Sequence, residues 1–103
     1  MEGASALESM SLTISSPSTG GTVSPNFSAT GQEAPPRRDP VTKVSGTMQN
    51  AANLVNGDVT KQPTSTDGGF VIKFLSVPIG KDYTLTVTDV AGDQTQVANL
   101  SVQ

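Results

Sequence analysis

Any chemistry in this 103-residue chain has to come from carboxylates, arginines, lysines, hydroxyls and amides, because the sequence contains no Cys, His or Trp. That absence removes disulfides, zinc ribbons, thiol nucleophiles and the Ser-His-Asp triad. Five acidic groups, Glu33, Asp39, Asp67, Asp89 and Asp93, fall in or beside three turn-rich segments, 31–40, 63–69 and 89–93. Of these, Asp67, Asp89 and Asp93 are the candidate ligands for Ca²⁺, which takes six to eight oxygens from carboxylates and loop carbonyls. Aspartate is also favoured in turns for its own sake, and no stretch carries the D-x-[DN]-x-[DN]-G spacing of a dedicated calcium loop. The expectation is therefore a protein without a cofactor, with Ca²⁺ as the one candidate ion. Arg37, Arg38 and Asp39, within Pro35-Pro36-Arg37-Arg38-Asp39-Pro40, are the candidate binding residues. A guanidinium fork grips a carboxylate or phosphate bidentately, although pairing with Asp39 or Glu33 as solvated charges accounts for the same residues.

Asp89 and Asp93 have the residue types for acid–base work. On an open loop of a small domain solvent keeps both ionised, so no catalytic residue is expected. Six basic against nine acidic side chains give a net charge of −3, which argues against a nucleic-acid surface. Two arginines without aromatic neighbours add nothing to such a surface. No apolar run approaches the roughly 20 residues that span a bilayer, so neither nucleic-acid binding nor membrane insertion is expected.

The elements that must position these groups read as strands. Residues 1–10 (MEGASALESM) show no alternation and no basic start followed by an apolar stretch, and are read as a flexible leader or linker. Residues 11–103 are read as one domain. Leu12 and Ile14 share a face in the first run, before Pro17 and Gly20-Gly21 break it. Thr22 to Thr30 is the second run, with Val23, Phe27 and Ala29 on one parity and Pro25 marking an edge or bulge. A loop of about ten residues follows, Gly31 to Pro40. Val44, Gly46 and Met48 then alternate, and Gln49 to Asn53 interrupts them as a bulge or single helical turn.

Asn56-Gly57, flanked by Leu54-Val55 and Val59, predicts a two-residue hairpin, since both positions tolerate the positive φ of a type I′ turn. Pro63 to Gly69 is a further turn. Phe70, Ile72 and Phe74 share one face of the next strand. Tyr83, Leu85 and Val87 alternate with Thr84, Thr86 and Thr88 after Pro78 and Gly80. Ala91-Gly92-Asp93 turns, and the final strand puts Ala98, Leu100 and Val102 inward. About seven half-buried strands without helical periodicity predict an all-β, two-sheet antiparallel sandwich. Its core is built on Phe27, Phe70, Phe74, Tyr83, Leu85 and Val87. If the third strand runs down to Asn56-Gly57 and the fourth returns through Val59, loops 31–40, 63–69 and 89–93 share one pole. The carboxylates then gather there beside Arg37 and Arg38.

The stretches Leu12-Thr13-Ile14-Ser15-Ser16-Pro17, Gly21-Thr22-Val23 and Phe27-Ser28-Ala29-Thr30-Gly31 resemble the bacterial immunoglobulin-like domains of secreted and cell-surface proteins. So do Asp67-Gly68-Gly69-Phe70, Tyr83-Thr84-Leu85-Thr86-Val87-Thr88-Asp89 and Ala91-Gly92-Asp93. The resemblance spans Ser11 to Val102 and implies an immunoglobulin-like Greek-key sandwich. It also implies a non-catalytic spacer, adhesion or ligand-presenting role in a larger exported bacterial protein. Tyr83, opening a strand after a Pro-Gly turn, stands where that fold places its tyrosine corner. A second resemblance, carried by Val44-Ser45-Gly46-Thr47, Thr66 to Phe70 and Tyr83 to Val87, is to transthyretin-like domains. It leaves Leu12 to Gly31 without a counterpart. Expected partners are neighbouring domains of the same chain and a protein or glycan ligand, with the isolated domain a monomer. The expected location, outside the cell or on its surface, follows from the resemblance.

Overall fold

The computed structural model describes residues 11–34, 43–64 and 66–103. Among them lie nine strands and no helix: β1 (Ser11–Ser16), β2 (Thr22–Val23), β3 (Phe27–Ala34), β4 (Val44–Gln49), β5 (Leu54–Asn56), β6 (Asp58–Lys61), β7 (Gly69–Phe74), β8 (Gly80–Asp89) and β9 (Gln94–Val102). No described helix is long and apolar enough to cross a membrane. The strands form two packed sheets, one in the order β1-β3-β7-β6 and the other β2-β9-β8-β4-β5. The expected all-β pair of layers is present, with more strands than the seven anticipated.

One apparent single run, Thr22 to Thr30, is divided between the sheets, and the expected third strand turns back on itself as β4 and β5; together these account for the extra strands. Pro25 lies between β2 and β3. Because proline cannot extend a ladder, the run from Thr22 to Thr30 leaves one sheet and enters the other. β2 then pairs with β9 in parallel, Thr22 opposite Ser101 and Val23 opposite Val102, so the sandwich is not wholly antiparallel. This pairing also covers the end of β9, a strand whose sequence lacks the Lys or Pro that blunts an exposed edge.

The chain also changes sheets at Asn56-Gly57, which is not the expected hairpin. β5 pairs with β4 while β6 pairs with β7 in the opposite sheet, and neither Asn56 nor Gly57 takes a positive φ. Gly57 crosses between layers, its N–H donating to the Gly46 carbonyl at 2.9 Å. A Cβ on Gly57 would run into the side chains of Ile72 and Phe74. The glycine is needed for a close approach to the core. The hairpin lies one turn earlier, over residues 50–53, where the Asn50 Oδ1 accepts from the N–H groups of Ala52 and Asn53 at 3.0 and 2.8 Å. Such side-chain capping is what makes Asn a turn residue.

The core follows the alternation. Phe70, Ile72, Phe74, Tyr83, Leu85 and Val87 are fully buried, with Ala29, Val44 and Met48 beside them. Phe27 packs at the margin, its ring stacked on Phe74 with centroids 5.1 Å apart. One parity expectation is corrected. On β9, Leu100 and Val102 are buried as expected, but Val97 takes the inward place expected for Ala98, because a bulge intervenes between the pairs Leu85–Val97 and Tyr83–Leu100. Asn99 within it has a φ of 59°, a region where Asn is enriched.

Candidate functional site

The inward parity of two strands continues past the apolar core into carboxylates. On β3, Ala29 and Gly31 are buried and Glu33 follows on the same face. On β8, Tyr83, Leu85 and Val87 lead to Asp89. Glu33 is 1% and Asp89 5% exposed, values that set them apart from carboxylates on solvated loop tips, since such groups are almost never fully buried unless paired. The β8–β9 turn brings Asp93 to them, half-buried, and oxygens of the three carboxylates lie within 4.8 Å of one another.

Backbone geometry holds the turn rigidly. The Asp89 N–H donates to the Asp93 carbonyl at 3.0 Å and the Gly92 N–H to the Asp89 carbonyl at 3.1 Å. Asp89 Oδ1 accepts from the N–H groups of Ala91 and Asp93 at 2.9 and 3.0 Å. From the other sheet, the Glu33 N–H donates to the Gly68 carbonyl at 2.9 Å, tying β3 to the loop after β6. Burial is the largest influence on the Asp89 carboxyl and pushes its pKa up. Hydrogen bonds from the Glu33 carboxyl, the N–H groups of Asp93 and Ala91 and the Asp93 side chain outweigh it and hold Asp89 below the ordinary 3.8.

No family model matches the chain, and no curated protein matches it either. The chemistry of the site therefore rests on its own geometry.

Glu33 near the end of β3, Gly68 and the 89–93 turn meet at one pole; of the loop expected over Gly31 to Pro40, Gly31 to Ala34 belong to β3 and residues 35–40 lie outside the described residues. Asp67 lies outside the cluster. Its Oδ2 pairs with Lys61 Nζ at 3.0 Å and its Oδ1 accepts from the Gly69 N–H at 2.9 Å, so local turn bonds take both oxygens. Glu33, not Asp67, stands beside Asp89 and Asp93. The sequence signal for Glu33 was the parity Ala29-Gly31-Glu33, which is lost if the second run is ended at Thr30. Arg37, Arg38 and Asp39 lie outside the described residues.

At the opposite pole, Tyr83 is fully buried. Its hydroxyl donates to the Pro78 carbonyl at 2.7 Å and accepts from Asn53 Nδ2 at 3.3 Å. Between the poles, Gln62 spans the two sheets. Its Oε1 accepts from the Val44 N–H at 2.7 Å and its Nε2 donates to the Val44 carbonyl at 3.3 Å, a side-chain amide acting as a short stretch of strand.

Proposed function

We propose that this chain is a non-catalytic immunoglobulin-like module of a larger exported bacterial protein, serving as a spacer, adhesion or ligand-presenting unit. The observation that carries the reading is strand order. β1-β3-β7-β6 corresponds to the A-B-E-D sheet of that architecture, and β9-β8-β4 to G-F-C with β5 beside it. Tyr83, near the start of the strand equivalent to F, bonds backbone five residues upstream, as a tyrosine corner does. The segment that transthyretin-like domains leave without a counterpart here builds β1 and half of β3, which favours the immunoglobulin-like reading.

The spacer role draws on the ends of the sheets. β1 starts opposite Ala34, at the carboxylate pole, and β9 ends opposite Gly80, at the Tyr83 pole. Units linked through such ends form a string whose length is set by the sandwich. A glycan-binding role has less to support it. The open groove of about 360 Å³ on the outer face of the five-stranded sheet is lined by Gln49, Asn50, Asp82, Thr84, Thr86 and Gln96, and this lining offers no aromatic ring for a sugar to stack on.

The test is independent folding, alone and in tandem. The isolated chain is expected to be a monomer by sedimentation and to unfold in one cooperative transition. Two copies joined end to end are expected to unfold at the same midpoint as one. An isolated chain that is molten, or that orders only with a partner, would remove the spacer reading.

A further inference from the structure

We propose that Asn56-Gly57 is a deamidation site masked by the fold, and that opening of the crossover between β5 and β6 releases it for conversion to isoaspartate. Asn56 is the one asparagine of the chain that a glycine follows. The Gly57 backbone nitrogen, once its proton is lost to solvent, attacks the Asn56 side-chain carbonyl carbon. The bond to the side-chain nitrogen breaks and ammonia leaves. Water then opens the cyclic imide at either carbonyl, giving aspartate or isoaspartate, so the sum is amide plus water to acid plus ammonia. Glycine favours the attack because no Cβ hinders its nitrogen and its backbone turns freely.

In the folded chain this nitrogen is engaged. The Gly57 N–H donates to the Gly46 carbonyl at 2.9 Å. Asn56 pairs with Thr47 in one sheet and Asp58 with Lys73 in the other, so the dipeptide is held from both sides. The Asn56 residue itself is exposed, and water reaches its amide; the closed fold withholds the nucleophile. Release needs only local opening. β5 and β6 are three and four residues long, and each is the last strand of its sheet in the described order, placing the crossover among the segments that open first.

The two products differ in what they do to this place. Aspartate adds one negative charge at an exposed position and leaves the backbone as it was. Isoaspartate routes the main chain through Cβ and Cγ of residue 56, lengthening the crossover by one carbon. A methyl on Gly57 already runs into Ile72 and Phe74, both fully buried, so the longer chain does not reseat without displacing them. Each opening therefore carries a chance of a change that the fold does not reverse.

The test incubates the whole chain at mildly alkaline pH, folded or in guanidinium chloride, and follows tryptic peptide 44–61 by mass spectrometry. In denaturant, conversion is expected at Asn56 well ahead of Asn50 and Asn53 in the same peptide. In the folded chain it is expected to be at least about tenfold slower. Isoaspartyl chain, separated from the aspartyl form and refolded, should melt several degrees below wild type. Asn56→Asp, which reproduces the aspartyl product, should melt close to wild type. Equal rates in the folded and denatured chain would show that the nitrogen is not withheld. Denatured chain that does not convert would show an unreactive pair, and an isoaspartyl chain melting with wild type would show room for the extra carbon. Any of these three results overturns the proposal.

Discussion

The Tyr83 hydroxyl donates to the Pro78 carbonyl across 2.7 Å, so the strand β8 is tied to the chain that leads into it. The ring of Tyr83 is wholly buried, and the Asn53 amide donates to the same hydroxyl. One phenol therefore joins the β7–β8 connection to the β4–β5 hairpin. Removing it in Tyr83→Phe leaves a carbonyl and an amide short of a partner. The expected loss is about 1–3 kcal/mol, read as a drop of several degrees in the thermal midpoint. Stability equal to wild type would mean that the bond merely replaces one to water.

Gly57→Ala should be among the most damaging small substitutions. The added methyl meets Ile72 and Phe74, both fully buried, and close-packed interiors have no slack to receive it. Overpacking of this kind costs about 1–3 kcal/mol. Equilibrium urea unfolding measures it through the midpoint, with the slope unchanged if the unfolded state is unaffected. A hairpin turn at Asn56-Gly57 would instead tolerate the methyl sterically and object to it through φ.

Asn56-Gly57 also marks where the sequence stops being legible. Local turn chemistry there is genuine, but the same dipeptide serves equally well where the chain must change layers against a bulky neighbour. Nothing within a few residues of Gly57 reveals Ile72 and Phe74, which lie in another strand. The alternation of Phe70, Ile72, Phe74, Tyr83, Leu85 and Val87 was legible because each face is decided by period two alone. Val97 was not, since the bulge at Asn99 shifts parity without a breaker such as Pro or Gly. At the carboxylate pole, Asp89 and Asp93 could be anticipated from their turn. Glu33 required knowing that β3 runs on to Ala34, and Asp67 was lost to a lysine six residues away.

Gln62→Ala tests the bridge between sheets. The Gln62 amide both accepts from and donates to the backbone of Val44, the first residue of β4. Truncation leaves a partly buried N–H and carbonyl to find water or remain unmet, a loss of about 1–3 kcal/mol. Amide exchange offers the sharper reading. The Val44 N–H should exchange much faster in the variant, with Met48 at the far end of the strand unaffected. Uniform acceleration along β4 would instead mean that Gln62 supports the whole strand.

Asp67 supplies a pH dependence of definite sign. Its carboxylate is held below the ordinary 3.8 chiefly by the Gly69 N–H, then by hydrogen bonding to Lys61 and by that ammonium's charge. A carboxyl whose folded pKa lies below its unfolded value stabilises the fold above the unfolded value. That contribution fades as pH falls through the folded pKa, so the window lies below about pH 4. Carboxyl ¹³C titration should therefore place Asp67 below 3.8, and Asp67→Asn should remove the corresponding slope in stability. Both partners of the ion pair are well exposed, 46% and 58%, so salt screens the Lys61 contribution. The backbone bond from Gly69 is insensitive to salt. At 1 M NaCl the depressed pKa should persist in part; full return to the ordinary value would assign the shift to Lys61 and not to the turn.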